Sequence, residues 1–158
     1  MTLRIVRILA FLAAGCLAGS ASAQTVLTVQ EEGASGATEF TLDDLKSMDQ
    51  TTVITENEFI DGEKTFRGPL VRDVLFRTLG DKADLVTMTA ANDYQVEISI
   101  QEFFDYDAIL ALTMDGVPLS RRNKGPIWLI YPMSDHAELR DPVYNARLIW
   151  QLVKMEFR

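Results

Sequence analysis

Cysteine is nearly missing from this chain: one of its 158 residues, Cys16, carries a thiol. Residues 17–158 therefore supply no disulfide, no thiolate nucleophile and no thiolate metal ligand. Histidine is equally scarce, with His136 alone. A metal site or a catalytic triad normally needs imidazole together with partners, so His136 reads as an exposed loop residue. There is no G-x-S-x-G, no H-E-x-x-H and no glycine-rich phosphate loop, which leaves the common hydrolase and nucleotide chemistries without a motif. Cations are outnumbered, 15 Lys and Arg against 23 Asp and Glu, for a net charge of −8. Nucleic-acid binding needs a basic face that releases counterions, so that class is disfavoured. The close carboxylates Asp43-Asp44, Glu56 with Glu58, and Asp105 with Asp107 read as solvated charge. Acid–base work would require one of a pair to be buried with a raised pKa.

Long apolar runs are also lacking, apart from Ile8 to Leu17. That run follows Arg4 and Arg7 and precedes small residues ending in Ala21-Ser22-Ala23. It is too short to span a bilayer comfortably and has the form of a signal peptide cut before Gln24. The expectation is that residues 1–23 are removed and residues 24–158 form one exported, periplasmic domain. Loss of Arg4 and Arg7, with no acidic residue lost, takes the net charge from −8 to −10. "LAAGC" has the Gly-Cys ending of a lipoprotein signal, but Ala13 stands where a larger aliphatic residue is usual. Lipid attachment at Cys16 is the weaker reading.

What is present reads as α+β with β dominant. "TVLTVQEE" alternates as a strand, and Thr41-Leu42-Asp43-Asp44 has the capping-box form, stapled by Phe40 and Leu45, opening a helix over 42–48. "TTVITE" is a β-branched strand ending at Glu56, followed by a turn at Asp61-Gly62. "RGPLVRDVLFRTLG" is the clearest helix, with Pro69 in its first turn, Gly80 as its stop and an apolar stripe of Leu70, Val71, Val74, Leu75 and Leu79. "LVTMTA" and "YQVEISI" are strands around Asn92-Asp93. Ser99 and Glu102 repeat the capping spacing, stapled by Ile98 and Phe103, for a third short helix. Asp115-Gly116 signals a hairpin whose second arm, with Pro118, lies at a sheet edge or quickly leaves the sheet. "LIWQLVKMEF" alternates as a last strand from Leu148 to Phe157.

The stretch "RRNKGPIWLIYP" stands out against the acidic background. Arg121, Arg122 and Lys124, with Arg140 and Arg147 further on, are either surface charges balancing neighbours or a set converging on an anion or a polar heterocycle beside Trp128 or Trp150. Indole faces stack on flat rings, and arginine donates in a plane. Regular alternation puts Trp128 and Ile130 on one side of the strand and Ile127, Leu129 and Tyr131 on the other.

The order "TFRGPLVRDVL", "TAANDYQVEISIQEFFDYDAILALTMDGVPL", "NKGPIWLIYP" and a closing strand with Trp150 resembles the molybdopterin-binding domain of the sulfite oxidase family. The likeness runs from about Thr51 to Phe157 and implies a β-dominant, barrel-like fold of that type. It also implies departures. The family's molybdenum-ligating cysteine would fall near Thr55 or Glu56, and neither supplies a soft thiolate. Its phosphate-holding arginine is replaced by Trp128, and its lysine before the closing Trp by Ile149, although Arg147 lies near.

Two readings follow. In the first, a non-catalytic periplasmic relative binds a pterin or similar heterocycle and acts with the periplasmic domain of a membrane sensor or signalling enzyme. In the second, the chain is a molybdopterin-binding oxidoreductase subunit whose metal centre another chain or ligand completes. A structural or unrelated binding role on the same fold is a third. The residues expected at the pocket are Asn92, Tyr94, Arg121, Arg122, Asn123, Lys124, Trp128, Tyr131, Arg147 and Trp150. Trp128, Tyr131 or Trp150 would stack on the ring, while Asn123, Lys124 and the arginines would bond its edge or tail.

Overall fold

The computed structural model describes residues 24–78 and 83–158. The expected leader and the Leu79-Gly80 helix stop lie outside them. The largest sheet contains β1 (Thr25–Glu31), β2 (Thr38–Thr41), β5 (Leu85–Ala90), β6 (Gln95–Ser99) and β11 (Leu152–Phe157) in the order β2-β1-β11-β5-β6. β1 runs parallel to β11, with Thr28 opposite Lys154, and the other pairings are antiparallel. A second sheet holds β3 (Thr51–Thr55), β4 (Lys64–Gly68), β8 (Thr113–Met114) and β9 (Val117–Pro118) in sequence order. Between the two, β7 (Ile109–Ala111) pairs with β10 (Trp128–Ile130). Main-chain bonds from Leu110 to Pro69 and from Leu112 to Arg67 join β7 to the end of β4. Short helices α1 (Leu42–Ser47), α2 (Val71–Phe76), α3 (Glu102–Asp105) and α4 (Pro142–Arg147) cover the ends.

Local chemistry explains much of this. Thr41 and Asp44 form the expected capping box: the Asp44 N–H donates to the Thr41 hydroxyl at 3.1 Å and the Thr41 N–H to the Asp44 carboxylate at 2.8 Å. Two unpaired helix donors are satisfied in this way. The Asp115-Gly116 turn takes positive φ at both residues, 50° and 77°, as a tight hairpin requires. Gly68 is dictated by space, because a Cβ there would sit 1.9 Å from the Leu110 carbonyl oxygen. Only glycine lets β4 approach β7 so closely.

Several expectations need correction. Pro69 precedes the N-cap Leu70 and so stands just outside the first turn of α2. Ser99 does not cap α3: its N-cap is Gln101, with no side-chain bond, because the Glu102 carboxylate is drawn to Tyr131 and Arg147 instead. The last strand starts at Leu152, not Leu148. Gln151 takes φ 52°, which breaks the alternation, and Trp150 forms an isolated bridge to Trp128. β2, β4 and α4 were not expected: Arg67 and Gly68, read as the start of the helix, end β4, and Asp141 caps α4 with Pro142 in its first turn. Strand β10 is buried on both faces, with Trp128, Leu129 and Ile130 all at 0% exposure. Alternation along it therefore separates two walls of core and not core from pocket.

Candidate functional site

Two hollows meet at α4. The first, about 180 Å³, is lined by Phe59, Asn92, Tyr94, Ala146, Leu148 and Trp150, with Asn145 at its margin. The second, about 240 Å³, lies under the loop after β3 and is lined by Glu56, Asn57, Ile60, Met133, Arg140 and again Asn145. The β3–β4 loop supplies Asn57 and Phe59, the β5–β6 turn supplies Asn92 and Tyr94, and the α4–β11 segment supplies Asn145 to Trp150.

The first hollow is aromatic. Trp150 and Phe59 meet edge to face, with ring centroids 5.0 Å apart. The Tyr94 hydroxyl donates to the Ala146 carbonyl at 2.8 Å, which holds the β5–β6 turn against α4. Trp150 and Tyr94 remain partly exposed, at 36% and 45%. Lys124 braces the wall from behind: its ammonium donates to the Phe59 carbonyl at 3.1 Å and lies 6.0 Å from the Trp150 ring centre and 5.1 Å from that of Trp128.

The second hollow holds unpaired polarity. Asn57 Nδ2 and Asn145 Oδ1 are both buried without a hydrogen-bond partner. One is a donor, the other an acceptor. Each such group costs about 1–3 kcal/mol when left unsatisfied, so a ligand supplying the complements would recover that energy. Asn57 is oriented from its other end, where its carbonyl oxygen accepts from the Phe59 N–H at 2.9 Å.

The structure divides the expected site residues. Asn92, Tyr94 and Trp150 come together at the first hollow, with Lys124 behind them. Trp128 does not reach it. Its ring is fully buried edge to face against Phe66, at 5.4 Å, because its N–H is drawn inward to the Leu148 carbonyl at 3.0 Å. Tyr131 is likewise core: its hydroxyl donates to Glu102 at 2.6 Å, and burial followed by the Glu102 charge holds its pKa well above the ordinary tyrosine value. Arg147 is engaged by the same carboxylate and lies 4.8 Å over the Tyr144 ring. Arg121, Arg122 and Asn123 form an exposed 3-10 turn and line neither hollow. Asn57, Phe59 and Asn145 escaped sequence reading. The Asp141-Pro142 helix start was the one signal that could have placed Asn145.

At the end of β3, where the resemblance puts a ligating cysteine, Thr55 is fully buried and already bonded. Its hydroxyl accepts from the Ser134 N–H at 3.1 Å and donates to the Glu56 carbonyl at 3.2 Å. The residues here do not fit a thiolate-ligated molybdenum.

The sequence profile of the family "Oxidoreductase molybdopterin binding domain" matches residues 20–135, and the chain belongs to this family. A similar solved structure is the sulfane dehydrogenase SoxCD from Paracoccus pantotrophus, with TM-score 0.60 and 14% identity over 83% of this chain and 37% of that one. That likeness gives the sulfite oxidase-type fold. This chain spans well under half the length of that protein. No curated protein matches by sequence. The family match ends at residue 135, before α4 and Trp150, so the aromatic and amide lining contributed by α4 and the segment after it lies outside it.

Proposed function

We propose that this chain binds a pterin-type heterocycle without performing redox chemistry, and that it works after export to the periplasm, freed of residues 1–23. The observation that carries the reading is the pair of unpaired amide atoms, Asn57 Nδ2 and Asn145 Oδ1, beside the exposed indole of Trp150. A pterin edge carries ring nitrogens that accept and N–H groups that donate, which complements both amides. Its flat face suits the indole. Both amide atoms are closed to water in the free protein, so binding requires the 56–62 loop to yield outward. Such a movement is a natural signal to a partner, here the periplasmic domain of a membrane sensor or signalling enzyme.

The alternative, a molybdopterin-binding oxidoreductase subunit, draws on the family match itself. Without cysteine after Cys16, the sulfur ligand would have to come from elsewhere. Fluorescence titration with oxidised and reduced pterins tests the first reading: saturable quenching is expected, and its absence for every pterin sinks the proposal. Molybdenum retained by protein purified from its native compartment would favour the alternative. Mass spectrometry of the mature N-terminus tests export, with Gln24 expected as the first residue.

A further inference from the structure

A third groove, about 560 Å³, shares no lining residue with the amide and indole hollows and is set off from the amide hollow by the Thr55, Glu56 and Ser134 bonds. It is lined by Thr51, Thr52, Val53 and Ile54, four consecutive residues of β3, and faces Asp105, Asp107, Asp135 and His136. A groove over the face of a strand would be lined by alternate residues, so lining by consecutive ones means that it runs along the strand's edge. β3 is the outer strand of its sheet, paired with β4 alone. Its main chain has no other backbone partner among the described residues. Only its far end is tied, through Thr55, Glu56 and Ser134.

Exposed edges are normally protected by charge, proline, a bulge or a covering segment. The other edges of this fold are. β2 carries Glu39 and pairs with β1 through a register shift, β6 carries Glu97 bonded to Arg158, and β9 carries Pro118. β10 is closed by the Leu129 to Ile149 bond. β3, with the sequence Thr-Thr-Val-Ile-Thr, has no charge, no proline and no register shift, and it presents Ile54 at 53% exposure.

From this edge we infer a docking site for an extended, basic segment of a partner protein, which adds a strand to β3. Strand addition takes its affinity from main-chain bonds and its selectivity from alternate side chains. Here every second side chain of the added strand meets the wall of Asp105, Asp107 and Asp135. Among the described residues no lysine or arginine lines the groove. Arg72 answers Asp107 at 2.6 Å from outside the lining, and β3 itself leads into Glu56 and Glu58. A second copy of the chain is the wrong occupant, because β3 against β3 would bring these carboxylates together in a molecule of net charge −8.

The test uses the full chain, isotope-labelled, with two synthetic peptides of alternating residues, (Lys-Val)5 and (Glu-Val)5. The inference expects saturable amide shifts over Thr51 to Ile54, with hydrogen exchange slowed at the alternate amides there that point away from β4, with the lysine peptide, and neither with the glutamate peptide. The double variant D105N/D135N should keep its unfolding temperature and bind the lysine peptide about tenfold more weakly. Thr52→Pro should abolish the exchange protection, and the charge variant keeps the test open if that protein fails to fold. Shifts mapped elsewhere, equal binding of both peptides, no saturable binding, or self-association through β3 would each overturn it. None of these outcomes depends on whether a pterin binds.

Discussion

The Trp128 indole N–H donates to the main-chain carbonyl of Leu148 at 3.0 Å, and two residues further on Trp150 presents its ring at the surface. The bond ties β10 to the segment that displays the second tryptophan, so the two rings have separate roles. Trp128→Ala should cost about 3–5 kcal/mol in denaturant unfolding, since it empties core volume and orphans a carbonyl. Trp150→Ala should stay within about 1 kcal/mol of the parent and weaken pterin quenching instead. Equal stability losses would show that the two rings are not divided in this way.

Tyr131 and Glu102 supply a second contrast. Tyr131→Phe removes a hydrogen bond to a charged acceptor and should cost about 1.5–3 kcal/mol at neutral pH. Because the folded pKa of Tyr131 is raised, its contribution is fully present below about pH 10 and is lost as pH climbs beyond that, where the unfolded chain ionises first. Unfolding followed from neutral to alkaline pH should therefore show a shallower decline for the variant than for the parent.

Replacing Asn145 by leucine removes a buried acceptor that has no partner. The free protein is expected to hold its stability or gain up to about 1–3 kcal/mol, while its melting temperature stops responding to added pterin. Melting curves with and without ligand separate the two effects. A destabilised variant that still responds to pterin would assign Asn145 to the scaffold alone.

On the acid side, the Thr41 hydroxyl and then the Thr41 N–H hold the Asp44 carboxyl below its ordinary value. For Asp115 the Thr65 N–H does so first, then Lys64. Depressed carboxylates add stability above the unfolded value near pH 4, and that part is lost as pH falls through the folded value. The double variant D44N/D115N should be less stable than the parent at neutral pH, and the difference should shrink below about pH 4. A gap independent of pH would rule out both carboxylates as its source.

The order of elements could be read in the sequence because short-range chemistry sets it: the Thr41 capping box, the Asp115-Gly116 hairpin and the β-branched Thr51–Thr55 strand each act within a few residues. The family's motif order placed the fold for the same reason. Trp128 was misassigned because period-two alternation assumes one wet face, and β10 has none. Ser99 was misread as a cap because Glu102 had partners in Arg147 and Tyr131, 45 and 29 residues away, that no local window sees. Asn57 and Asn145 were invisible for a deeper reason. A missing hydrogen bond is a property of packing, and nothing in an asparagine's sequence neighbours announces it.

β11 lies between β1 and β5 in the largest sheet, yet it is the last strand the chain contributes. Its contacts with β1 close a loop of well over a hundred residues, the kind of pairing that slows folding most. While residues 152–157 are still being synthesised, β1 and β5 have no common neighbour and the sheet has no middle. The five-stranded sheet therefore cannot close until synthesis reaches those residues, whereas β3, β4, β8 and β9 have all their strand partners earlier in the chain.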